Sequence, residues 1–371
     1  MKIMFVIPRM NSGGAERVVA NLACSFSKEH KVLVCSLVSK ESFYDLKKKN
    51  IFFNSAGFSI NRKNKFTVFY SYSKFFFKSL KFIKKNINDF KPDCIISFLI
   101  ETDILTYLAT RKNKDIVKIF SERNDPTRRK TLIKKVLKKI YKSSDLFVCQ
   151  SKKVYEYYDY ISSNKKVIIS NPIDYTLLPR NIYEEKNHNI VSVGRLNNQK
   201  NFELLINSYI ISKDELPDDC KLIIYGEGKL RENLEKLIKM KGMEKDIFLP
   251  GSQKNVMDLI NGSALFVLTS NYEGFPNALL EAMAIGLPVI STNFYTGIAK
   301  ELIKNENGII VPVNDEQKLA KAIVRIMNDK QLRKIMKKNN VKLCKKFDVN
   351  NIASIWIDYI KKAVDMKWIK R

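Results

Sequence analysis

The chain alternates short, continuous apolar runs with longer amphipathic stretches along its whole length. Continuous apolar runs of this kind are typical of strands buried on both faces, and helical stretches between them predict parallel sheets covered on both sides. The predicted strands lie at residues 3–7, 32–38, 94–98, 117–121, 146–149, 167–170, 190–193, 221–225, 247–249, 265–268, 288–291 and 308–311. The sequence therefore predicts an α/β protein built from two Rossmann-like blocks.

The junction between the two blocks is predicted near residues 171–189, where two prolines and mixed charge interrupt the alternation. We place an N-terminal domain at residues 1–175 and a C-terminal domain at residues 186–349. Residues 350–371 form a terminal segment with a helical pattern. A chain of 371 residues is long enough to fill two cores of ordinary size.

The rarity of metal-binding and redox residues excludes several site classes. The six cysteines are scattered without a CxxC pair, so they are predicted to be buried free thiols of a reducing compartment. The two histidines, His30 and His188, lie in no plausible cluster, so neither a zinc site nor a histidine-based triad is expected. No apolar stretch reaches 18 residues, and the first residues are predicted to form a strand, which indicates a cytoplasmic protein.

A loop followed by a short helix carries the strongest functional signal. Pro276 suits the first helical turn, and Gly286 with Pro288 marks the end of the helix. The free amides at such a helix start favour a phosphate. Glu273, before the helix, and Glu281, inside it, are acceptors suited to sugar hydroxyls. Together these features predict a nucleotide-sugar site, although a capped amphipathic helix with an incidental glutamate is an alternative.

The Glu-x7-Glu spacing of Glu273 and Glu281 resembles that of retaining GT-B glycosyltransferases, and the sequence between them is similar to family 4. The resemblance implies two Rossmann-like domains whose parallel sheets face each other across a cleft, with the terminal helix crossing back to the first domain. It implies that Glu273 lies near the donor sugar and that Glu281 accepts hydrogen bonds from the nucleotide ribose. It also implies donor contacts by the loop Gly274, Phe275, Pro276 and Asn277.

Two further strand ends carry cations and glycines that suit a diphosphate. Gly194 and Arg195 follow one predicted strand, and Lys200 comes shortly after; an Arg and a Lys at this spacing in family 4 bind the donor diphosphate. Two solvated cations in a lysine-rich chain are the alternative. In the family, the loops that contain Gly226 and Pro250 border the nucleobase and ribose, although turn formation explains such residues equally well.

The N-terminal domain supplies the candidate acceptor contacts. Gly13 and Gly14 follow the first strand in the string Ser-Gly-Gly-Ala-Glu-Arg, which is similar to the family loop that closes over the donor phosphates and meets the acceptor through Glu16. A tight turn would also require glycine. Glu122 and Arg123 follow another strand, where many family members have a histidine after the glutamate. This chain has Arg123 where those family members have the histidine, so the role of a catalytic histidine does not carry over to it.

No cofactor or metal is expected. No Asp-x-Asp follows a strand, so the ligands of a metal-dependent GT-A enzyme are missing. Arg195, Lys200 and the helix amides replace Mg²⁺ in stabilising the leaving diphosphate. No carboxylate nucleophile of the glycosidase type is evident either. The resemblance implies front-face retention, with Glu273, Arg195 and Lys200 as the catalytic residues.

The formal charge of +28 is concentrated in the first half, where residues 1–172 carry 35 Lys+Arg against 14 Asp+Glu, a difference of +21. A predicted helix there presents an apolar side (Phe69, Phe76, Leu80, Ile83, Ile87 and Phe90) opposite a basic side (Lys74, Lys78, Lys81 and Lys85). Phe75, Phe77 and Phe82 flank the apolar side and are candidates to enter a membrane interface. The stretch 131–142 repeats this pattern. A core-facing helix with a solvated back is the alternative to a helix that lies on an anionic membrane.

We therefore predict a transferase peripheral to the inner face of the cytoplasmic membrane, which moves a sugar, best an N-acetylhexosamine or hexose from a UDP-sugar, onto a lipid-diphosphate-linked saccharide. The sequence resembles enzymes that extend undecaprenyl-diphosphate glycans for bacterial surface polysaccharide or N-glycan. A nucleic-acid-binding protein and a non-catalytic sugar-nucleotide binder are the alternatives. Nucleic acid is not expected as a partner, because no aromatic-plus-basic RNA motif or compact helix-turn-helix is present.

Overall fold

A computed structural model describes residues 1–48, 50–58, 65–179, 185–304 and 306–369, with the backbone alone for residues 65–70. The chain divides into two compact units, one of Met1–Pro172 with Val349–Arg371 and one of Ile173–Asp348. The second unit thus begins earlier than residue 186. Ile173 already belongs to it because its N–H donates to the Phe347 carbonyl at 2.7 Å, and it forms a parallel bridge with Asp348.

The first unit is a seven-stranded parallel sheet in the order β3-β2-β1-β4-β5-β6-β7. Its strands are β1 (Lys2–Ile7), β2 (Lys31–Ser36), β3 (Ile51–Ser55), β4 (Cys94–Phe98), β5 (Val117–Ser121), β6 (Leu146–Cys149) and β7 (Lys166–Ile168). Its helices are α1 (Gly14–Phe26), α2 (Lys65–Phe90), α3 (Ile100–Thr110), α4 (Thr131–Lys142), α5 (Lys152–Tyr157) and the terminal helix α13 (Val349–Ile369).

The second unit is a six-stranded parallel sheet in the order β10-β9-β8-β11-β12-β13. Its strands are β8 (Ile190–Val193), β9 (Leu222–Tyr225), β10 (Ile247–Gly251), β11 (Leu265–Leu268), β12 (Val289–Thr292) and β13 (Ile309–Val311). Its helices are α6 (Phe202–Ser212), α7 (Arg231–Met240), α8 (Val256–Ile260), α9 (Asn277–Ala284), α10 (Ile298–Leu302), α11 (Glu316–Asn328) and α12 (Lys330–Cys344).

Both sheets confirm the predicted Rossmann-like architecture. Each begins at a central strand, β1 or β8, and grows outward to one side before the chain returns to pair β4 or β11 on the other side. This reversal of strand order opens a crevice beyond the carboxyl ends of the central strands, where open parallel sheets bind ligands. Most of the residues predicted to bind the donor or the acceptor lie near the carboxyl ends of strands, in the loops that follow them or at the start of the next helix.

The sequence pattern missed strand β3. Its side chains alternate between half-buried and exposed positions, unlike the fully buried central strands. Its apolar run covers only residues 51–53, and the polar residues Asn54 and Ser55 follow at once. This short run gave too weak a signal to be recognised as a strand.

Helix α13 completes the first unit although it comes last in the chain. Trp356 in this helix is fully buried, and its ring stacks on Phe98 of β4 with centroids 6.5 Å apart. Lys367 near its end donates to Asp145 at 2.7 Å. The five cysteines other than Cys24 are buried free thiols, as predicted. Within the described residues, no helix is long and apolar enough to span a membrane.

Candidate functional site

Three glycine-containing loops at the ends of β8, β9 and β10 are bound directly to one another. The Gly194 N–H donates to the Tyr225 carbonyl, and the Gly226 N–H donates to the Gly251 carbonyl, both at 2.9 Å. A Cβ on Gly226 would lie 1.8 Å from the Gly194 carbonyl oxygen, and its φ of +147° already disfavours other residues. Position 226 therefore accepts only glycine, because two strand ends pack closely there. This packing supports the alternative in which Gly226 serves the turn itself.

Lys200 and Glu273, both predicted from the sequence, form an ion pair in the second unit. Lys200 Nζ lies 2.6 Å from Glu273 Oε1, and the two side chains are 16% and 8% exposed. Gly194 makes room for this pair, because a Cβ there would lie 3.0 Å from the Lys200 Cε. A cation and a carboxylate so shielded from water hold each other in one geometry.

The Glu273 carboxylate has further donors that the sequence analysis did not identify. Ser270 donates its hydroxyl to Oε1 at 2.7 Å, and Gln199 donates its amide to Oε2 at 3.1 Å. The Thr296 hydroxyl donates to the Glu273 carbonyl at 3.0 Å. These residues have no sequence pattern of their own, and only their positions at neighbouring strand ends could have indicated them. They orient Glu273 rather than leaving it as a solvent-exposed carboxylate.

Helix α9 begins one residue later than the sequence predicted. Pro276 has φ −85° and ψ 80° and occupies the position before the first helical residue, Asn277. The prediction that Pro276 lies in the first turn is therefore wrong, because its ψ is not helical. The predicted stop is confirmed, since the helix ends at Ala284 and Gly286 has a φ of +84°. The first amides of α9 lack intrahelical acceptors, as at any helix start.

One side of α9 stays accessible while the rest is buried. Leu279, Leu280, Ala282, Met283 and Ala284 are buried, and Phe275 in the preceding loop is 7% exposed. Asn277 and Glu281 are half-buried and lie four residues apart, which places them on one side of the helix, and Gly274 in the preceding loop is half-buried as well. The loop amide and the two polar side chains can therefore contact a ligand together.

Arg195 is exposed, and in the described part of the chain no ion-pair partner is assigned to it. Pro250 is also exposed, and its carbonyl accepts from the Gln253 amide at 3.1 Å. Unlike Lys200, Arg195 therefore keeps its charge available for an anionic ligand. The crevice end of the second unit thus combines an engaged cation–carboxylate pair with a free guanidinium.

In the first unit, the loop after β1 carries Gly13, Gly14 and Glu16. Gly13 precedes the first residue of α1, and its carbonyl accepts from the Tyr44 hydroxyl at 2.9 Å. The Glu16 carboxylate folds over Gly13, where an added Cβ would lie 2.1 Å from its Oε2. A glutamate at the third helical position that turns back to the helix start is typical of a capping arrangement. Glu16 therefore stabilises this loop.

Glu122 is a buried carboxylate whose oxygens are already engaged. Its Oε1 accepts from the Arg123 and Asn124 backbone N–H groups, each at 3.0 Å, and from Arg129 at 2.5 Å. Its Oε2 accepts from the Tyr158 hydroxyl. Glu122 is 3% exposed, so its first role is to organise the loop after β5.

Arg123 is buried, and its guanidinium has no ion-pair partner assigned among the described residues. The guanidinium lies 4.2 Å from the centroid of the Phe98 ring and 5.8 Å from that of Trp356, and it donates to Asn171 at 2.6 Å. Its Nε and one terminal nitrogen have no hydrogen-bond partner in the described part of the chain. Burial lowers the pKa of Arg123 to about 9, with Glu122 opposing the shift.

Asp103 in α3 is a buried carboxyl group that the sequence analysis missed. The Ser97 hydroxyl donates to it at 2.6 Å and the Tyr141 hydroxyl at 2.8 Å. Burial raises the pKa of Asp103 from its ordinary 3.8 to about 8, although both hydrogen bonds oppose the shift. Nothing in the local sequence distinguishes it from a surface aspartate in a first helical turn.

The basic and aromatic residues of α2 do not all face solvent. The lysines predicted on its basic side are exposed, namely Lys74, Lys78, Lys81 and Lys85. Phe75 and Phe82 instead pack edge-to-face on Phe58, with ring centroids 6.1 and 6.4 Å apart. The prediction that Phe75 and Phe82 enter a membrane interface is therefore wrong, because both pack on the hydrophobic core of the first unit. The apolar side of α2 packs on the same core, which favours the core-facing alternative for that side; its described members there are Phe76, Leu80, Ile83, Ile87 and Phe90. Phe77 is 68% exposed. The side chain of Phe69 lies outside the described residues.

In the residues that the structure describes, no group of three or more His, Cys, Asp or Glu side chains is arranged to hold a metal ion. The predicted site residues thus fall into two sets. Gly13, Gly14, Glu16, Glu122 and Arg123 belong to the first unit, and the remaining donor-site residues belong to the second.

Comparisons with known families and proteins follow the same division. The model for Glycosyltransferase Family 4 matches residues 12–177, and the model for Glycosyl transferases group 1 matches residues 178–343. Among solved structures, HepE of Anabaena in complex with UDP and glucose aligns with a TM-score of 0.79 at 19% identity, covering 98% of this chain and 100% of that chain. This likeness supports the GT-B fold.

Two relatives come from Campylobacter jejuni. The GalNAc-alpha-(1->4)-GalNAc-alpha-(1->3)-diNAcBac-PP-undecaprenol alpha-1,4-N-acetyl-D-galactosaminyltransferase is 30% identical over 366 residues, which are 98% of this chain and 99% of the relative. The N-acetylgalactosamine-N,N'-diacetylbacillosaminyl-diphospho-undecaprenol 4-alpha-N-acetylgalactosaminyltransferase is 29% identical over 372 residues, which are 97% of this chain and 99% of the relative.

Proposed function

Because the chain belongs to the group 1 and family 4 glycosyltransferases, we propose that it transfers a sugar from a UDP-sugar, with retention of configuration, to a saccharide carried on a lipid diphosphate. The donor sugar is an N-acetylhexosamine or a hexose. The two Campylobacter jejuni relatives, whose names specify α-linked N-acetylgalactosamine and undecaprenyl-diphosphate acceptors, support this choice.

The fixed Lys200–Glu273 pair is the observation that carries the proposal. Glu273 Oε1 accepts from both Lys200 and Ser270, whereas Oε2 accepts from Gln199. A carboxylate oxygen has two acceptor directions, so Oε2 keeps one for a hydroxyl group of the donor sugar. Because the carboxylate is held before the sugar arrives, little conformational freedom is lost on binding.

The leaving group is a nucleoside diphosphate, and the residues around it supply positive charge. Arg195 binds the diphosphate through its exposed guanidinium. The first amides of α9, with the Gly274 N–H before them, add hydrogen-bond donors where negative charge grows. Lys200 holds Glu273 in place at the same strand ends and offsets the negative charge of that carboxylate near the diphosphate. With this charge in place, no metal ion is required to stabilise the leaving diphosphate.

In the transfer step, the bond between the anomeric carbon and the diphosphate oxygen breaks while the acceptor hydroxyl oxygen bonds to the same carbon on the same face. The hydroxyl proton passes to the departing phosphate oxygen, so atoms and charges balance without an added base. Glu281 accepts hydrogen bonds from the ribose and therefore binds the donor equally before and during the reaction.

The first unit takes the acceptor in this proposal. Gly13 and Gly14 form the turn at the start of α1, which meets the donor phosphates and the acceptor in this proposal, and Glu16 supports this turn from its capping position. Arg123 carries a buried, unmatched charge with two unpartnered nitrogens among the described residues, which suits an anionic group of the acceptor. Glu122 positions Arg123 through its backbone rather than contacting the acceptor. The exposed lysines of α2, with Phe77, place the unit on an anionic membrane surface.

A donor screen with UDP- and GDP-sugars and a lipid-linked saccharide acceptor tests the proposal. We expect nucleotide release and product only with a UDP-hexose or UDP-N-acetylhexosamine, and an α-linked product from an α-linked donor by NMR. Arg195→Ala should reduce kcat/KM by about a hundredfold, since one charge-assisted contact to the developing charge is lost. Lys236→Ala, an exposed lysine of α7, is the matched control. Absence of turnover with every donor, or a β-linked product, contradicts the proposal.

A further inference from the structure

Helix α4 presents a basic surface interrupted by exposed apolar side chains. Its stretch Thr131–Lys142 contains five lysines and no acidic residue. Leu137, Ile140 and Tyr141 are buried against the first unit, which fixes the orientation of the helix. Leu132, Val136 and Ile133 border the buried side on one flank and are 75%, 45% and 37% exposed. We call these three residues the apolar strip. Val136 lies four residues from Leu132 and three from Ile133, so it is a neighbour of both on the helix surface.

A cavity of about 250 Å³ is lined in part by lysines of α4, on the side of the helix away from the apolar strip. Its polar lining consists of four cations, three phenols and one threonine hydroxyl, without an acidic side chain. The lining residues are Pro126, Arg129, Thr131, Lys134, Lys135, Leu137, Lys138, Tyr157, Tyr158 and Tyr160. We call it the tyrosine cavity. It belongs entirely to the first unit and contains none of the residues assigned to sugar transfer.

The cations of the tyrosine cavity are positioned but not neutralised. Lys138 Nζ lies 5.1 Å from the centroid of the Tyr160 ring, and Lys134 Nζ lies 6.0 Å from that of Tyr157. Neither lysine has an assigned carboxylate partner in the described part of the chain. Aromatic faces hold ammonium groups without cancelling their charge. The cavity therefore keeps at least two cations ready for an anion.

A buried arginine forms the inner wall. The Arg129 side chain is 8% exposed, and two of its nitrogens are used by Glu122 and by the Tyr158 hydroxyl. Its Nε, although buried, has no partner among the described residues. A buried guanidinium N–H without an acceptor is costly, so an acceptor oxygen supplied by a ligand would remove that cost.

We propose that α4 docks the chain on an anionic bilayer and that the tyrosine cavity holds the phosphate headgroup of an anionic phospholipid. The lysines and the Arg129 Nε bind the phosphate oxygens, the tyrosine rings enclose the glycerol, and the apolar strip enters the acyl boundary. The apolar strip favours a lipid partner over a nucleic acid, because the exposed apolar side chains of Leu132 and Val136 gain no favourable contact on a charged phosphate backbone. This inference deepens the membrane partner of the proposed function and rests on that part of it.

Vesicle co-sedimentation tests the surface, with phosphatidylcholine alone compared with phosphatidylcholine containing phosphatidylglycerol. Lys134→Gln/Lys138→Gln should weaken binding to the anionic vesicles about thirtyfold, from the usual contribution of each lysine near such a surface. Lys236→Gln/Lys239→Gln on α7 removes the same charge elsewhere and should stay within about twofold of wild type. Equal losses in both double variants would overturn the docking surface.

Two variants without charge changes separate the parts of the proposal. Leu132→Ser/Val136→Ser should weaken vesicle binding about tenfold, whereas Met240→Ser, an equally exposed apolar residue of α7, should not. Tyr160→Ala should weaken binding about fivefold because Lys138 loses its aromatic support. Wild-type binding by Tyr160→Ala would overturn the headgroup site, and preference for a duplex oligonucleotide over anionic vesicles would overturn the lipid partner.

Activity without vesicles distinguishes this inference from the proposed function. The α4 and Tyr160 variants should hydrolyse the UDP-sugar, or transfer its sugar, at wild-type rates in detergent-free buffer. The α4 variants should keep the wild-type melting temperature, whereas Tyr160→Ala should melt lower because Tyr160 packs on the core beside Tyr158. A protein that binds anionic vesicles through α4 but turns over no sugar nucleotide contradicts the proposed function alone. A protein that transfers sugar but shows no preference for anionic vesicles contradicts the inference alone.

Discussion

The Lys200–Glu273 pair allows stability and activity to be separated by a double-mutant cycle. At 2.6 Å and an effective dielectric constant of ~20, the attraction between the charges is about 6 kcal/mol before desolvation is counted. Because the side chains are only 16% and 8% exposed, removing one leaves the other charge shielded from water. We expect Lys200→Met and Glu273→Gln each to lower the free energy of unfolding by about 3 kcal/mol.

The double variant should lose less free energy of unfolding than the sum of the losses in the two single variants. With both charges replaced at once, no uncompensated ion stays behind in the shielded site, so the loss should fall short of additivity by about 2 kcal/mol. Sugar transfer, in contrast, should be lost in all three variants. Lys318→Met, which removes an exposed cation 3.3 Å from Asp315, is the control and should cost about 0.5 kcal/mol or less.

Urea unfolding can assign these losses to the correct unit. Both tryptophans, Trp356 and Trp368, lie in the first unit, so tryptophan fluorescence reports that unit while far-UV circular dichroism follows both. The Lys200 and Glu273 variants should shift the dichroism transition and leave the fluorescence transition unchanged. Single variants that unfold like wild type, or losses of unfolding free energy that simply add in the double variant, would refute the argument that Lys200 and Glu273 form a coupled, shielded ion pair.

Three other substitutions follow from the structure. Gly226→Ala should cost about 3 kcal/mol or more in urea unfolding, because its Cβ meets the Gly194 carbonyl at 1.8 Å; Gly242→Ala, at φ +66° with nothing within 4 Å, should cost only about 1 kcal/mol. In the wild type, the free energy of unfolding should fall by about 1.4 kcal/mol per pH unit between pH 4 and pH 8, because the folded form keeps a proton on Asp103 up to about pH 8 that the unfolded form loses near 3.8. Asp103→Asn should remove this fall. Identical slopes of unfolding free energy against pH in the two proteins would disprove this. Glu281→Gln should raise the donor KM about tenfold and leave kcat unchanged in initial-rate assays, whereas an equal fall in kcat would place Glu281 in the chemical step.

The sequence was sufficient to predict those strands that are buried on both faces of a sheet. Central strands such as β1 and β4 are buried on both faces, so their apolar runs were sufficient to locate them. The edge strand β3 has an apolar run of only three residues, 51–53, with alternating exposure. The end of α9 at Gly286 was predictable because its positive φ is a local property, whereas the position of Pro276 depended on a loop conformation that tertiary contacts impose.

The candidate site was predictable in its residues but not in their partnerships. Lys200 and Glu273 were identified from spacing, yet the sequence could not show that they bind each other, because 73 residues separate them in the chain. Gln199 and Ser270 were missed for the same reason. Phe75 was predicted to enter a membrane interface, although its ring packs edge-to-face with that of Phe58, which belongs to another segment of the chain. Long-range contacts decided each of these cases.

The place of α13 in the first unit makes the second unit an insertion between Pro172 and Val349. During synthesis, the first unit cannot acquire the buried Trp356 until the whole second unit has left the ribosome. Until then Phe98 and the charged Arg123 lack the ring that covers them. The second unit can thus fold from a continuous stretch while the first waits, so a truncation before α13 would expose an unfinished core rather than delete a separate module.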